Sequence, residues 1–262
     1  MIRPGSGRGR NAPAGFVDDA VDIVTVRLDV EPETVSALAA RLSDAERQRA
    51  GRFAFDRDRR RFIVARGRLR ELLAPRLGVR PESVELVYGQ RGKPALAQWF
   101  AGSGWRFNVS HSSEVAVYAF SRGREIGVDV EAVRALRDPD DIAACFFSRR
   151  ENAAYRALDP RDRQTGFFNC WTRKEAFIKA LGDGLCHPLD RFDVSLAPGE
   201  PARILRVEDT PGTECGWRLD SFSPAAGFVA AVVTQDDGRQ RALRYSSLVS
   251  SGTALKRSST SQ

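Results

Sequence analysis

The chain has 262 residues, 42% hydrophobic and 29% charged, with a formal net charge of +7, a size that holds one large domain or two closely packed smaller ones. It has no run of about 18 apolar residues, and its basic start, MIRPGSGRGR, lacks the apolar segment of a secretory signal; this excludes a membrane-spanning helix and predicts a soluble, cytoplasmic protein. Two histidines and four widely spaced cysteines (Cys145, Cys170, Cys186 and Cys215) exclude a His-rich transition-metal site and predict buried free thiols.

Residues 1–16 are Gly/Arg/Pro-rich and 246–262 Ser/Thr-rich, compositions that predict disordered tails around a folded part. Val24, Val26, Leu28 and Val30 alternate with polar residues as in a half-buried strand. Pro32 opens a helix carrying Val35, Leu38, Ala39 and Leu42, and Ser43 with Glu46 spells a capping box for the next. A longer helix follows, with Phe62, Ala65, Leu69, Leu72 and Leu73 on one face and Gly78 beyond its end. The positive charge is concentrated here. Residues 41–70 hold eleven arginines against four acids, an excess equal to that of the whole chain. Such a segment attracts nucleic acid, an acidic protein or a phosphorylated small molecule, or it is simply a solvated helix face.

After the turn signal RGKP (91–94), segments 106–112, 115–121 and 125–131 read as strands. The first pattern then recurs. Asp129-Val130-Glu131 echoes Asp29-Val30-Glu31 at an offset of 100, Ser148 with Glu151 repeats the capping box at 105, and Leu181-Gly182 repeats Leu77-Gly78 at 104, which sets Glu175 opposite Glu71. Further strands are expected at 190–196, 202–208, 215–222 and 226–234. The order predicts an α+β fold built as a pseudo-dimer of two similar halves, 17–121 and 122–245, with a ligand site between them.

Side chains two apart on a strand share a face, so Asp129 and Glu131 point the same way, about 6.6 Å apart along the backbone. Both can serve Mg²⁺, which takes hard oxygens from one or two carboxylates together with water and phosphate. A solvated strand end explains an isolated D-x-E equally well, but Ile126, Val128 and Val130 place this one inside a sheet, where unpaired acids are costly. Glu175 is either a third ligand or half of an (i, i+4) ion pair with Lys179. Lys174 and Lys179, two of only four lysines, flank it and offer compact charges for phosphate oxygens. Ser110 and His111 are adjacent on a strand and face opposite ways, so they do not form a hydrolytic dyad; His111 suits donation to a phosphate.

The ordered set GKP (92–94), FNVSHS (107–112), IGVDVE (126–131), FFS with a downstream Glu (146–151) and WTRKEAFIKALGDGL (171–185) resembles the Sfp-type 4′-phosphopantetheinyl transferases. The resemblance implies transfer of phosphopantetheine from coenzyme A to a serine of an apo acyl or peptidyl carrier protein, with release of adenosine 3′,5′-bisphosphate. It implies one site between two halves, Mg²⁺ on Asp129, Glu131 and Glu175, and phosphate contacts from Lys174 and Lys179. Coenzyme A contacts are implied for Lys93, Pro94, Ser110 and His111, and contacts to its 3′-phosphate for Arg49 and Arg61; Glu46 stands where some members have a lysine. Glu175 is then the first candidate for the base that takes the serine proton, and Glu151, already explained as a cap, the second. The rival reading is a nucleic-acid-binding module on 41–70, disfavoured by its few aromatics. A monomer is expected, without nucleic-acid or membrane partners. Whether the carrier serves fatty-acid, polyketide, nonribosomal-peptide or lysine biosynthesis is open.

Overall fold

The computed structural model describes residues 20–89, 92–182, 188–208, 212–239, 242–248 and 256–258. The expected tail at 1–16, the Asp-Gly-Leu end of the long motif at 183–185, Cys186 and most of the tail from 249 lie outside them.

One order of elements occurs twice. β1 (Val21–Arg27), α1 (Pro32–Ala39), α2 (Asp44–Ala50), α3 (Asp56–Leu77), β2 (Leu86–Tyr88), β3 (Pro94–Leu96), β4 (Trp105–Ser112) and β5 (Val115–Arg122) form the first set. β6 (Ile126–Ala132), α4 (Pro139–Phe146), α5 (Arg149–Ala157), α6 (Pro160–Leu181), β7 (Phe192–Val194), β8 (Ile204–Val207), β9 (Trp217–Phe222) and β10 (Phe228–Gln235) form the second. β1-β5-β4 and β6-β10-β9 are the matching antiparallel sheets. The expected α+β pair of similar halves is therefore present.

Local chemistry explains the likeness. Ser43 caps α2 and Ser148 caps α5, each in a reciprocal box with the Glu three residues on. α3 and α6 have 22 residues each and end on a left-handed glycine, Gly78 at φ 68° and Gly182 at φ 83°. Each capping glutamate is buried against a cation from the long helix of its own half. Glu46 accepts from Arg70 at 2.8 Å, and Glu151 pairs with Lys174 at 2.7 Å.

The repeat corrects one expected correspondence. β1 ends at Arg27, so Asp29 and Glu31 lie beyond it, Glu31 at the N-cap of α1. β1 and β6 have seven residues each and equivalent places in their sheets, which sets Val24 and Val26, both buried, against Asp129 and Glu131. The shared D-V-E spelling is coincidental, because the apolar pairing begins earlier, at Val21 and Ile23. The helices do match at 104, and Glu71 stands opposite Glu175. It is held by Arg41 at 3.1 Å and Arg68 at 2.7 Å. Glu71→Gln is expected to cost about 1 kcal/mol or less and to leave activity unchanged, checked by urea unfolding alongside the rate.

Both faces of the first sheet are covered. Val24, Val26, Tyr118 and Phe120 pack with α3, while Val21, Ile23, Val117 and Ala119 meet Ile126, Val128, Val130 and Val232 of the second sheet. β11 (Leu243–Leu248) pairs in parallel with β1, and β12 (Lys256–Ser258) pairs with β11. Residues 246–248, expected in a tail, thus complete a strand, because β1 supplies its backbone partners. Cys170 is buried as expected, whereas Cys145 and Cys215 are exposed.

Candidate active site at the junction of the halves

β4 and β6 are edge strands of different sheets, and side chains join them. The Val128 amide donates to Asn108 Oδ1 at 3.1 Å and the Ala132 amide to Ser112 Oγ at 3.1 Å. Between these, Ser110 Oγ donates to Asp129 Oδ1 at 2.7 Å, and Ser112 Oγ to Glu131 Oε2 at 2.8 Å. Asn108, Ser110 and Ser112 share one face of β4 by strand period and together satisfy an edge that would otherwise lack partners.

On its other side β6 lies hard against α6. A Cβ on Gly127 would stand 2.1 Å from the Ala176 carbonyl oxygen and 2.4 Å from the Ala180 nitrogen, so only glycine permits the approach. That contact brings Asp129 and Glu131 beside Trp171, Glu175 and Lys179, which follow one another at helical spacing along α6. Lys179 Nζ donates to Asp129 Oδ1 at 2.6 Å and approaches Ser110 Oγ at 3.3 Å. Lys93 Nζ crosses from the first half to the Lys179 carbonyl at 2.6 Å, near the electronegative end of α6. Burial pulls the Lys93 ammonium below its ordinary range.

A cleft of about 590 Å³ opens over this junction. Arg49, Lys93, Pro94, Ser110, His111, Asp129, Glu131, Glu175 and Lys179 all line it, so nine of the expected site residues share one space. Asn108, Ser112, Phe62, Arg66 and Trp171 belong to the same setting and were missed. The period-2 spacing of 108, 110 and 112 could have revealed the first two; Phe62 looked like core, and Arg66 was one arginine among many.

Three expected residues lie elsewhere. Arg61 is in a two-pronged pair with Asp29, both contacts at 2.7 Å, and does not line the cleft. That hydrogen bond also holds the Asp29 carboxyl below its usual range. Arg61→Ala is expected to leave KM for the co-substrate within about twofold and to cost 0–1 kcal/mol, as exposed ion pairs do; steady-state kinetics and thermal melting check both. Lys174 is 1% exposed, with its ammonium on Glu151 and on the Phe192 carbonyl at 2.6 Å. Glu151 is spent on Lys174, the Ser148 amide and the Val194 amide. Neither Lys174 nor Glu151 lines the cleft; together they tie α5, α6 and β7 to one another.

The carboxylates show what the cleft can hold. Burial raises the Glu131 and Glu175 carboxyls; Asp129 raises both further, and Glu131 also acts on Glu175. Among the described residues no three of His, Cys, Asp and Glu are gathered tightly enough to grip an ion alone. Donor atoms are nonetheless unspent. Asp129 Oδ2 is buried without a hydrogen-bond partner among the described residues, and Glu131 bonds Ser112 through Oε2. A hard cation that completes its shell with water and phosphate fits this donor set.

Comparison with known proteins follows the same division. A family model described as 4′-phosphopantetheinyl transferase superfamily matches residues 125–233, and one described as 4′-phosphopantetheinyl transferase, N-terminal, matches 30–122. The chain is 40% identical over 225 residues to the 4′-phosphopantetheinyl transferase HetI of Nostoc sp., covering 86% of this chain and 92% of that protein. It is 32% identical to the 4′-phosphopantetheinyl transferase of Bacillus subtilis, over 61% of this chain and 68% of the other. With the human L-aminoadipate-semialdehyde dehydrogenase-phosphopantetheinyl transferase it shares 29% identity over 74% and 67% respectively.

Proposed function

The chain belongs to the 4′-phosphopantetheinyl transferase superfamily and transfers phosphopantetheine from coenzyme A to carrier proteins; from that premise we propose that the junctional cleft is the site of transfer. The observation that carries this is the meeting of Asp129, Glu131, Glu175 and Lys179 in one cleft with cationic groups of the other half.

Asp129, Glu131 and Glu175 are the residues to hold Mg²⁺. When bound, the ion offsets charge on the pyrophosphate during displacement. Arg49, Lys93 and His111 bind the nucleotide end of coenzyme A from the first half, beside Pro94 and Ser110, while Lys179 attends the pyrophosphate. The carrier serine oxygen attacks the β-phosphorus as the bond to the bridging oxygen breaks, and adenosine 3′,5′-bisphosphate leaves. Glu175 is the base: it lines the cleft beside Asp129 and Glu131 and makes no hydrogen bond or ion pair among the described residues, which leaves its carboxylate free to accept the serine proton. Ser110 and Ser112 fix the Asp129 and Glu131 carboxylates from behind.

The site lies within one chain, which supports a monomer. The reading carries with it a cytoplasmic location, and no described helix is long and apolar enough to cross a membrane. Arg57, Arg59, Arg61, Arg68 and Arg70 all pair with acids, which speaks against the Arg-rich segment as a nucleic-acid surface. The test is transfer to an apo carrier protein with Mg²⁺, with chelator, and with Glu175→Gln. Loss on chelation, recovery on excess Mg²⁺ and a slow variant are expected; a wild-type rate in chelator or in the variant contradicts the assignment.

A further inference from the structure

The three carboxylates assigned to Mg²⁺ all come from the second half, Asp129 and Glu131 on β6 and Glu175 on α6. The first half meets two of them through β4, whose three polar rungs are not equivalent. Asn108 accepts the Val128 amide. Ser110 donates to Asp129, but Lys179 Nζ approaches the same hydroxyl at 3.3 Å, and Ser110 itself lines the cleft. Ser112 alone of the three holds both backbone and carboxylate, its Oγ accepting from the Ala132 amide at 3.1 Å and donating to Glu131 Oε2 at 2.8 Å. It does not line the cleft, so its hold on Glu131 is separable from contact with a ligand.

A hydroxyl has one proton to give. With the Ala132 amide directed at its oxygen, Ser112 turns that proton to Glu131, and the rotor is set from both sides. The backbone of Ser112 is fixed as well. It pairs with Val115 across a two-residue turn in which Ser113 sits at φ 50°, and the Leu28 amide donates to the Glu114 carbonyl of that turn at 2.8 Å. One oxygen of Glu131 is thus tethered to a braced hairpin, while Oε1 makes no hydrogen bond among the described residues and the side chain lines the cleft. A free glutamate loses rotamer freedom when it ligates an ion, and one already held loses less. We propose that Ser112 is a positioning residue that sets the metal affinity of the site from the half that supplies no ligand, so that metal loading and the docking of the two halves support one another. The inference rests on reading the cleft as the transfer site.

The test is Mn²⁺ binding, followed by the paramagnetic resonance signal of the free ion, to the wild type, Ser112→Ala and Ser112→Thr, with the rise in melting temperature on adding Mg²⁺ measured on the same proteins. Ser112→Ala is expected to raise the Mn²⁺ Kd about 10- to 100-fold, the usual cost of losing the outer partner of a metal ligand, and to shrink the Mg²⁺-induced rise in melting temperature. Ser112→Thr keeps the hydroxyl and should recover most of the loss. In transfer assays the Mg²⁺ concentration for half-maximal rate should rise by a larger factor than kcat falls. A folded Ser112→Ala whose Kd stays within about twofold of the wild type, far short of an outer-partner effect, or a loss of kcat without a change in Kd, overturns the proposal. Should Ser112→Ala melt too early to titrate, the near-isosteric Ser112→Cys decides, since its thiol is a weak donor: a raised Kd supports the assignment, and a wild-type Kd overturns it. A wild type that binds no Mn²⁺, alone or with adenosine 3′,5′-bisphosphate, would instead overturn the assignment of the three acids to a metal, and the role of Ser112 with it.

Discussion

Asp129→Asn is expected to slow phosphopantetheine transfer by about 10²–10³-fold while the protein stays folded, a loss of the size that follows removal of one preorganised electrostatic group. Asparagine keeps the shape, and its oxygen still accepts from Ser110. What goes is the charge. Lys179, 2.6 Å away, loses the carboxylate that holds it over the cleft, and Mg²⁺ held as proposed would lose one of its hard donors. Stability should change little, because the variant also removes a buried carboxylate whose Oδ2 has no hydrogen-bond partner among the described residues, and desolvating that charge is itself unfavourable. Single-turnover rates and thermal melting separate the two effects. A folded variant with the wild-type rate would remove Asp129 from the chemistry.

Glu46→Gln is expected to cost about 3–5 kcal/mol of folding stability, the usual result of breaking a buried ion pair from one side. Glu46 is 2% exposed and Arg70 as deeply buried, at 2.8 Å. Arg70 would keep its contacts to the Val84 and Pro81 carbonyls but lose the balancing charge. Burial alone would raise the Glu46 carboxyl; hydrogen bonds from Tyr88 and the Ser43 amide, with the charge of Arg70, outweigh it and hold the group below its usual range. A folded value below the unfolded one contributes stability that is present above the unfolded carboxylate pKa of about 4.3 and is lost as pH falls through the folded value. The gap between wild type and variant should therefore be full at pH 7 and shrink below about pH 4, measured by urea unfolding across pH.

Much of the scaffold was legible because its signals are local. Ser43 with Glu46 and Ser148 with Glu151 each close within four residues, and a glycine after an apolar helix end needs no distant partner. The alternation in IGVDVE placed both acids on one face, which is where β6 presents them. Distant partners were not legible. Nothing near Lys174 says that it turns into the protein toward Glu151 while Glu175, one residue on, faces the cleft; the packing of α5 and β7 decides that. The same holds for arginines. Arg61 and Arg66 are equivalent by composition, and only Asp29, beyond the end of β1, draws one of them away. β11 is Ser-rich and became a strand because β1 offered it an edge, so tertiary context overrode composition.

The most direct test of the account is the intact mass of apo carrier proteins incubated with this enzyme, Mg²⁺ and coenzyme A. The account predicts a gain of one phosphopantetheine on the carrier with the wild type and almost none with Asp129→Asn over the same interval. A carrier mass unchanged across fatty-acid, polyketide and nonribosomal-peptide carriers with the wild type, or an equal gain with the variant, would contradict it.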